Sequence, residues 1–262
     1  MIKAMRTAAS GMSAQQMNVD TIANNLANVN TTGFKRTKVE FQDVLYQNIK
    51  TAGSATAVGA ERPIGLSVGY GTRASATHRH FTNGDLTLTN NPLDMAISGD
   101  GFFQIQYPDG TTVYTRDGAF KISGEGRLVN SDGFFLLPEI TIPTDAMSIS
   151  VGSDGIIEIA QFGQDEPVQI GQLELARFVN PSGLNALGSN LYQRTTASGD
   201  ALIDVPTQSG LGQIDQGYLE GSNVKVVDEM VNMIIAQRAY EMNAKAIQTA
   251  DDMFSIANSL KR

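Results

Sequence analysis

The sequence predicts an α+β chain: amphipathic helices at the two ends form one discontinuous coiled-coil domain, with a central, mainly β domain between them. Three observations predict it. An apolar residue recurs every seven positions over 223–260, a three-and-four ladder runs over 2–29, and the middle is punctuated by Asn-Gly and Asp-Gly turns. The period changes set the boundaries. Residues 1–45 with 221–262 form the helical assembly domain, 46–77 an extended connector, and 78–220 the β domain.

In the first element, Ile2, Met5, Ala9, Met12, Val19, Ala23 and Leu26 step by threes and fours, with Gln16 as a polar interruption. That is an a/d stripe, widened by Ile22 and Val29. Asn28, Asn30, Thr31 and Thr32 end the helix, and Gly33 suits a left-handed cap. Over 34–50, Phe34, Phe41, Val44, Leu45 and Ile49 fit a short helix or a strand alike. Residues 51–77 turn to Ala, Gly, Ser and Thr, the composition of an extended connector.

The β domain follows from its turns. Asn83-Gly84, Asp100-Gly101, Asp109-Gly110, Asp117-Gly118, Asp132-Gly133 and Asp154-Gly155 supply the positive φ angles of tight hairpins. Between them lie strand candidates at Phe102–Ile105, Thr112–Thr115, Phe134–Leu137, Ile156–Ile159 and Gln172–Ala176.

The last element carries the strongest pattern. Val226, Met233, Tyr240, Ile247 and Phe254 repeat every seven residues, and Met230, Ala236, Ala244, Ala250 and Ala257 fill the neighbouring rows. Ser222 or Asn223 suits an N-cap, and Asp228 and Glu229 suit the positive end of the helix dipole. A lone amphipathic helix is unstable in water unless its stripe is covered. Periodicity alone leaves two covers open, the other terminal helix of the same molecule or a neighbouring copy.

Composition narrows the function classes. The chain has no Cys, which removes disulfides, thiolate metal sites and thiol nucleophiles. The net charge is −8, concentrated in the middle: 51–220 holds 8 basic and 19 acidic residues. An acidic body disfavours nucleic acid, whose phosphates need a basic face. No apolar run suits a membrane span, and Met1–Arg6 lacks the apolar stretch of a cleaved signal peptide. Export, if it occurs, is expected to use a route that reads no such signal.

The chain's candidate motifs do not assemble into a chemical site. His78 and His80, the two histidines, would share one face of a strand, but no further His or Cys completes a site. Gly69-Tyr70-Gly71-Thr72-Arg73-Ala74 matches a loose dinucleotide fingerprint without opening a helix. The Asp-Gly pairs lack a calcium-loop pattern. No catalytic residue, cofactor-binding residue or metal ligand is therefore assigned.

Two long segments carry a resemblance. Ala8-Ala9-Ser10-Gly11-Met12 with Asp20-Thr21-Ile22-Ala23-Asn24-Asn25-Leu26-Ala27-Asn28-Val29 and Gly33-Phe34-Lys35 resembles the N-terminal signature of bacterial flagellar rod and hook axial proteins. Ser222-Asn223-Val224, Glu229–Ile234 and Gln237-Arg238-Ala239-Tyr240-Glu241 resembles their C-terminal signature. Ser98–Phe103, Tyr114–Gly118 and Gln216–Glu220 extend the likeness through the β domain, most closely to the distal-rod branch, with proximal-rod and hook-type members the alternative.

The resemblance implies a structural subunit, not an enzyme, that polymerises into a rigid helical tube. Ile2, Met5, Met12, Val19, Ile22, Leu26, Val226, Met233, Tyr240, Ile247 and Phe254 are then the expected self-assembly interface. Implied partners are further copies, other rod proteins and the hook protein, ring proteins around the rod, and the flagellar type III export apparatus. No cofactor, nucleic acid or membrane insertion is implied.

Overall fold

A computed structural model of the chain describes residues 2–53, 55–57, 60–61, 63–161 and 166–259. Two helices bracket a β-rich middle: α1, Ile2–Ala27, and α2, Val226–Ser259. Chain contacts divide it into two compact units. A helical unit comprises Met1–Leu26, Thr37–His78 and Lys225–Arg262, and a β body comprises Ala27–Arg36 and Arg79–Val224.

The body is built on the strand Phe102–Gln106. It pairs antiparallel with Thr112–Thr115 along one edge, and with Phe135–Leu137 and Leu175–Arg177 along the other. The sheet runs on through Leu191–Gln193 to Asn185–Gly188, and at its far side through Leu128–Val129 to Lys121–Ile122. A three-stranded sheet joins Ala146–Val151, Ile156–Gln161 and Val168–Gln172. Two ladders return the chain: Met95–Ser98 with Gln213–Gln216, and Leu86–Leu88 with Tyr218–Glu220.

The run Phe102-Phe103-Gln104-Ile105 is apolar almost throughout because both of its faces are covered. Phe103 and Ile105 enter the main core beside Met95, Ile97, Val113 and Leu175. Phe102, one position out of step, enters a second, aromatic core with Tyr114, Phe178 and Tyr192. The rings there meet edge to face, 4.7 Å between Tyr114 and Phe178 and 5.8 Å between Phe102 and Phe178. Such pairs add about 0.5–1.5 kcal/mol each beyond burial.

Three expectations about this region need correction. The Gln172–Ala176 candidate is two strands, because Val168–Gln172 ends one sheet and Leu175–Arg177 joins the other. Gly101, Gly110, Gly133 and Gly155 have positive φ, but Gly84 and Gly118 do not. A Cβ at Gly118 would lie 1.5 Å from the Met95 oxygen, and one at Gly84 2.0 Å from the Gly221 oxygen. Those two glycines serve close approach of backbones. Gly33 has φ +66° but lies six residues beyond the end of α1. It turns the chain against the Arg116–Asp117 backbone, where a Cβ would meet atoms at 2.8 Å, and caps no helix.

In the helical unit the ambiguous 34–50 segment is extended, as strands Thr37–Asp43 and Tyr46–Lys50. The connector expected at 46–77 is not merely extended. Tyr46–Lys50 pairs antiparallel with Leu66–Gly69, and Thr37–Asp43 pairs with Thr72–Arg79. Alternating Thr, Val and Leu around Gly65, Gly69 and Gly71 is strand material as well as linker material. Residues 54, 58, 59 and 62 of that segment lie outside the described residues.

Candidate assembly surfaces of the terminal helices

Two contacts fix how α1 meets α2. Asn25 Nδ2 donates to Glu229 Oε2 at 3.3 Å, and a Cβ on Gly11 would lie 2.9 Å from Asn243 Nδ2. Both pairs fit one antiparallel register, and steps of seven from them bring Asn18 to Ala236 and Ala4 to Ala250. Glu229, Ala236 and Ala250 are the buried residues of α2. The closest row is thus small and polar, which lets the two backbones approach.

The expected seam lies beside this row. Ile22 is buried, and Met5, Met12, Val19, Leu26, Met233, Ile247 and Phe254 are half-buried, whereas Ile2, Val226 and Tyr240 are exposed. Val19 and Tyr240 share a groove with Gln16, Gln237 and Glu241. The ladder on α1 is displaced because strands of the same unit also cover that helix. Thr72 N donates to Ser10 Oγ, and Asn25 brackets Thr37, donating to its oxygen at 2.8 Å and accepting from its nitrogen at 3.0 Å.

A second apolar face was not read from the sequence. On the side of α2 away from Glu229, Ala236 and Ala250, Val227, Val231, Ile234, Ile235, Met242 and Ile256 are all exposed, Val227 at 72% and Met242 at 70%. They recur at helical steps, interrupted by Arg238 and Lys245. The signal was present: apolar residues occupy both sides of α2, so a search for one best stripe passes over the other.

The paired strands Tyr46–Lys50 and Leu66–Gly69 present a further apolar surface. Tyr46, Ile49, Leu66 and Val68 are exposed, and Leu45 and Ile64 beside them reach 83% and 81%. A two-stranded ribbon with both faces in water is marginal by itself.

The remaining signature residues have local roles. Asn28 accepts from the Thr31 hydroxyl at 3.1 Å, ordering the turn after α1. Asn24, Gln237 and Arg238 are exposed, Ala239 is half-buried, and Arg238 meets Glu241 at 3.4 Å across one helical turn. Phe34 is half-buried in the body, and its oxygen accepts from Asn223 N. Neither Asn223 nor Ser222 caps α2 through its side chain as expected. Asn223 spends its amide on Arg36, His80 and Thr82, and the first α2 bond runs from Glu229 N to Lys225 O.

The body also holds a fully buried ion cluster. Glu220 accepts from Lys35 Nζ at 2.6 Å and Arg116 Nη1 at 3.4 Å. Burial pushes the Lys35 ammonium below its usual range, the Glu220 carboxylate pulls it back, and Arg116 adds to the lowering. No group of three or more His, Cys, Asp or Glu side chains suited to a metal ion comes together among the described residues.

Three family models match the chain. Residues 5–35 match a flagella basal body rod protein model, 96–159 the flagellar hook protein FlgE/F/G D1 domain, and 215–260 the flagellar basal body rod FlgEFG protein C-terminal model. The flagellar basal-body rod protein FlgG of Borreliella burgdorferi is 51% identical over 264 residues, covering 100% of both chains. The chain belongs to the flagellar basal-body rod protein family.

The FlgG rod protein of Bacillus subtilis is 38% identical, again over 100% of both chains. The FlgF rod protein of Caulobacter vibrioides is more distant at 34%, over 90% of this chain and 88% of its own. Like its FlgG relatives, this rod-family chain is a structural axial subunit of the distal rod, in the basal body of the flagellum. The matched N- and C-terminal models fall on α1 and α2, and the D1 model falls on the core strands of the body.

Proposed function

We propose that the chain polymerises through its terminal helices into a rigid tube. The observation that carries this reading is the exposed apolar face of α2. Fully burying one Val, Ile or Met side chain is worth about 1.5–3 kcal/mol, so six of them give a neighbouring copy ample reason to bind. A contact that does not close on itself repeats into a helical filament. The apolar ribbon at 45–50 and 64–69 wedges between copies and stiffens the wall, suiting a shaft that carries motor torque to the hook and passes exported proteins through its channel.

Under this reading the chain's partners are its own copies, other rod proteins, the hook protein and ring proteins around a rod that crosses the periplasm. The type III apparatus exports it without a cleaved signal. The role is structural rather than enzymatic. Electron microscopy of concentrated protein tests the assembly step: straight tubes from the full chain, and none from a chain carrying Ile234→Asp and Met242→Asp, support it. Tubes from the double variant at wild-type concentration would remove the outer face of α2 from the interface.

A further inference from the structure

We propose that Asn223 is a positioning residue that locks three chain exits of the β body into one joint. The chain passes from one compact unit to the other after Leu26, Arg36, His78 and Val224. The body residues beside the last three of these points, 33–36, 80–84 and 220–223, are laced to one another.

Asn223 is common to all three segments. Its Oδ1 accepts from Arg36 N at 2.7 Å, and its Nδ2 donates to His80 O at 2.9 Å and to the Thr82 hydroxyl at 2.9 Å. His80 N then donates to Arg36 O at 2.9 Å. Beneath this layer lies the ion cluster. Lys35 Nζ reaches Thr82 O at 2.8 Å as well as Glu220 Oε1, Gly84 N donates to the same Oε1 at 2.9 Å, and Gly33 N donates to Glu220 O at 2.8 Å.

The two layers differ in what they do. Lys35, Arg116 and Glu220 place two cationic side chains on one carboxylate, all three buried from solvent. Three buried charges in that balance are a poor source of stability compared with apolar side chains of similar volume. What the cluster supplies is direction, since each bond specifies which backbone lies beside which. Asn223 stands at the margin and is half-exposed. Backbone groups released from it can turn to water, so its loss frees the exits while the cores stay intact.

Hydrogen–deuterium exchange on the dilute full-length chain tests this without requiring assembly. Asn223→Ala is expected to speed exchange about tenfold or more in peptides covering 33–37 and 79–84, as local opening does. Peptides over Phe102–Gln106 and Thr112–Thr115 keep wild-type protection. Asn223→Asp retains the acceptor for Arg36 N and restores protection at 33–37. The proposal is overturned by unchanged exchange at both segments in Asn223→Ala. It is equally overturned by acceleration spread over the core strands, which would make Asn223 an ordinary stability residue.

Discussion

The β body and the helical unit use apolar residues in opposite ways. In the body, Phe102 and Phe103 are neighbours in sequence, and each finds its own core. In α2, Val226 and Val227 are also neighbours, and both are exposed, Val227 the more so. The body buries two apolar clusters within one copy and leaves single side chains such as Met147 and Val179 exposed, whereas the helical unit leaves a whole helix face over. Folding and assembly are thereby separated along the chain, so substitutions in the two regions should fail differently.

The largest expected effects are in the body. Phe103→Ala should cost about 3–5 kcal/mol, read as a lower thermal midpoint with loss of the β signal, because a buried ring leaves a cavity. Glu220→Gln should cost a similar amount by leaving Lys35 and Arg116 buried without a counter-charge. Lys35→Met balances the remaining pair and leaves no partner orphaned, since Gly84 N still donates to Glu220 and Asn223 still donates to Thr82. Its midpoint should stay close to wild type, and a collapse there would break the contrast between the two residues.

Next comes Ile234→Asp on the outer face of α2. Losing ~2 kcal/mol per contact raises the critical concentration for assembly more than about tenfold, with the thermal midpoint of the body unchanged. Ile247→Asp, beside the α1 contact row, should also block assembly while the body stays folded. Sedimentation and thermal melts on the same samples check both.

A smaller effect concerns Asp117. Burial raises its carboxyl above the ordinary range, while hydrogen bonds from the Thr32 hydroxyl and Ala119 N pull it back. A raised folded-state value means its contribution to stability is fully present in acid, below the unfolded value. That contribution is lost as pH rises through the folded value. Asp117→Asn should flatten the dependence of body stability on pH just above the usual carboxylate range, measured by denaturant midpoints across that window. The smallest effect is Arg238→Ala. Its pair with Glu241 is exposed, so stability should change by less than about 0.5 kcal/mol.

The two helices and the turn glycines Gly101, Gly110, Gly133 and Gly155 were legible because their causes are local, while the caps of both helices were misread. The α2 repeat from Val226 to Phe254 and the Asp-Gly hairpins needed only neighbours in sequence. Three features were not legible because distant segments decide them. Gly118 depends on Met95, Gly33 on Arg116, and the row Glu229–Ala236–Ala250 on α1. The connector misled for a related reason. Its small residues suit a linker, and only the pairing of Tyr46–Lys50 with Leu66–Gly69 makes them strands. The apolar surface of α2 was half legible: the stripe beside α1 was read and the exposed face opposite it was not.

Hydrogen–deuterium exchange of the chain before and after assembly tests the separation of folding from assembly most directly. In dilute chain Phe102–Gln106 and Thr112–Thr115 should be strongly protected while peptides over 227–242 exchange fast, and the latter should become protected on assembly. Protection of 227–242 as deep as that of the core strands in dilute chain would contradict that separation, because α2 would then be complete within a single copy.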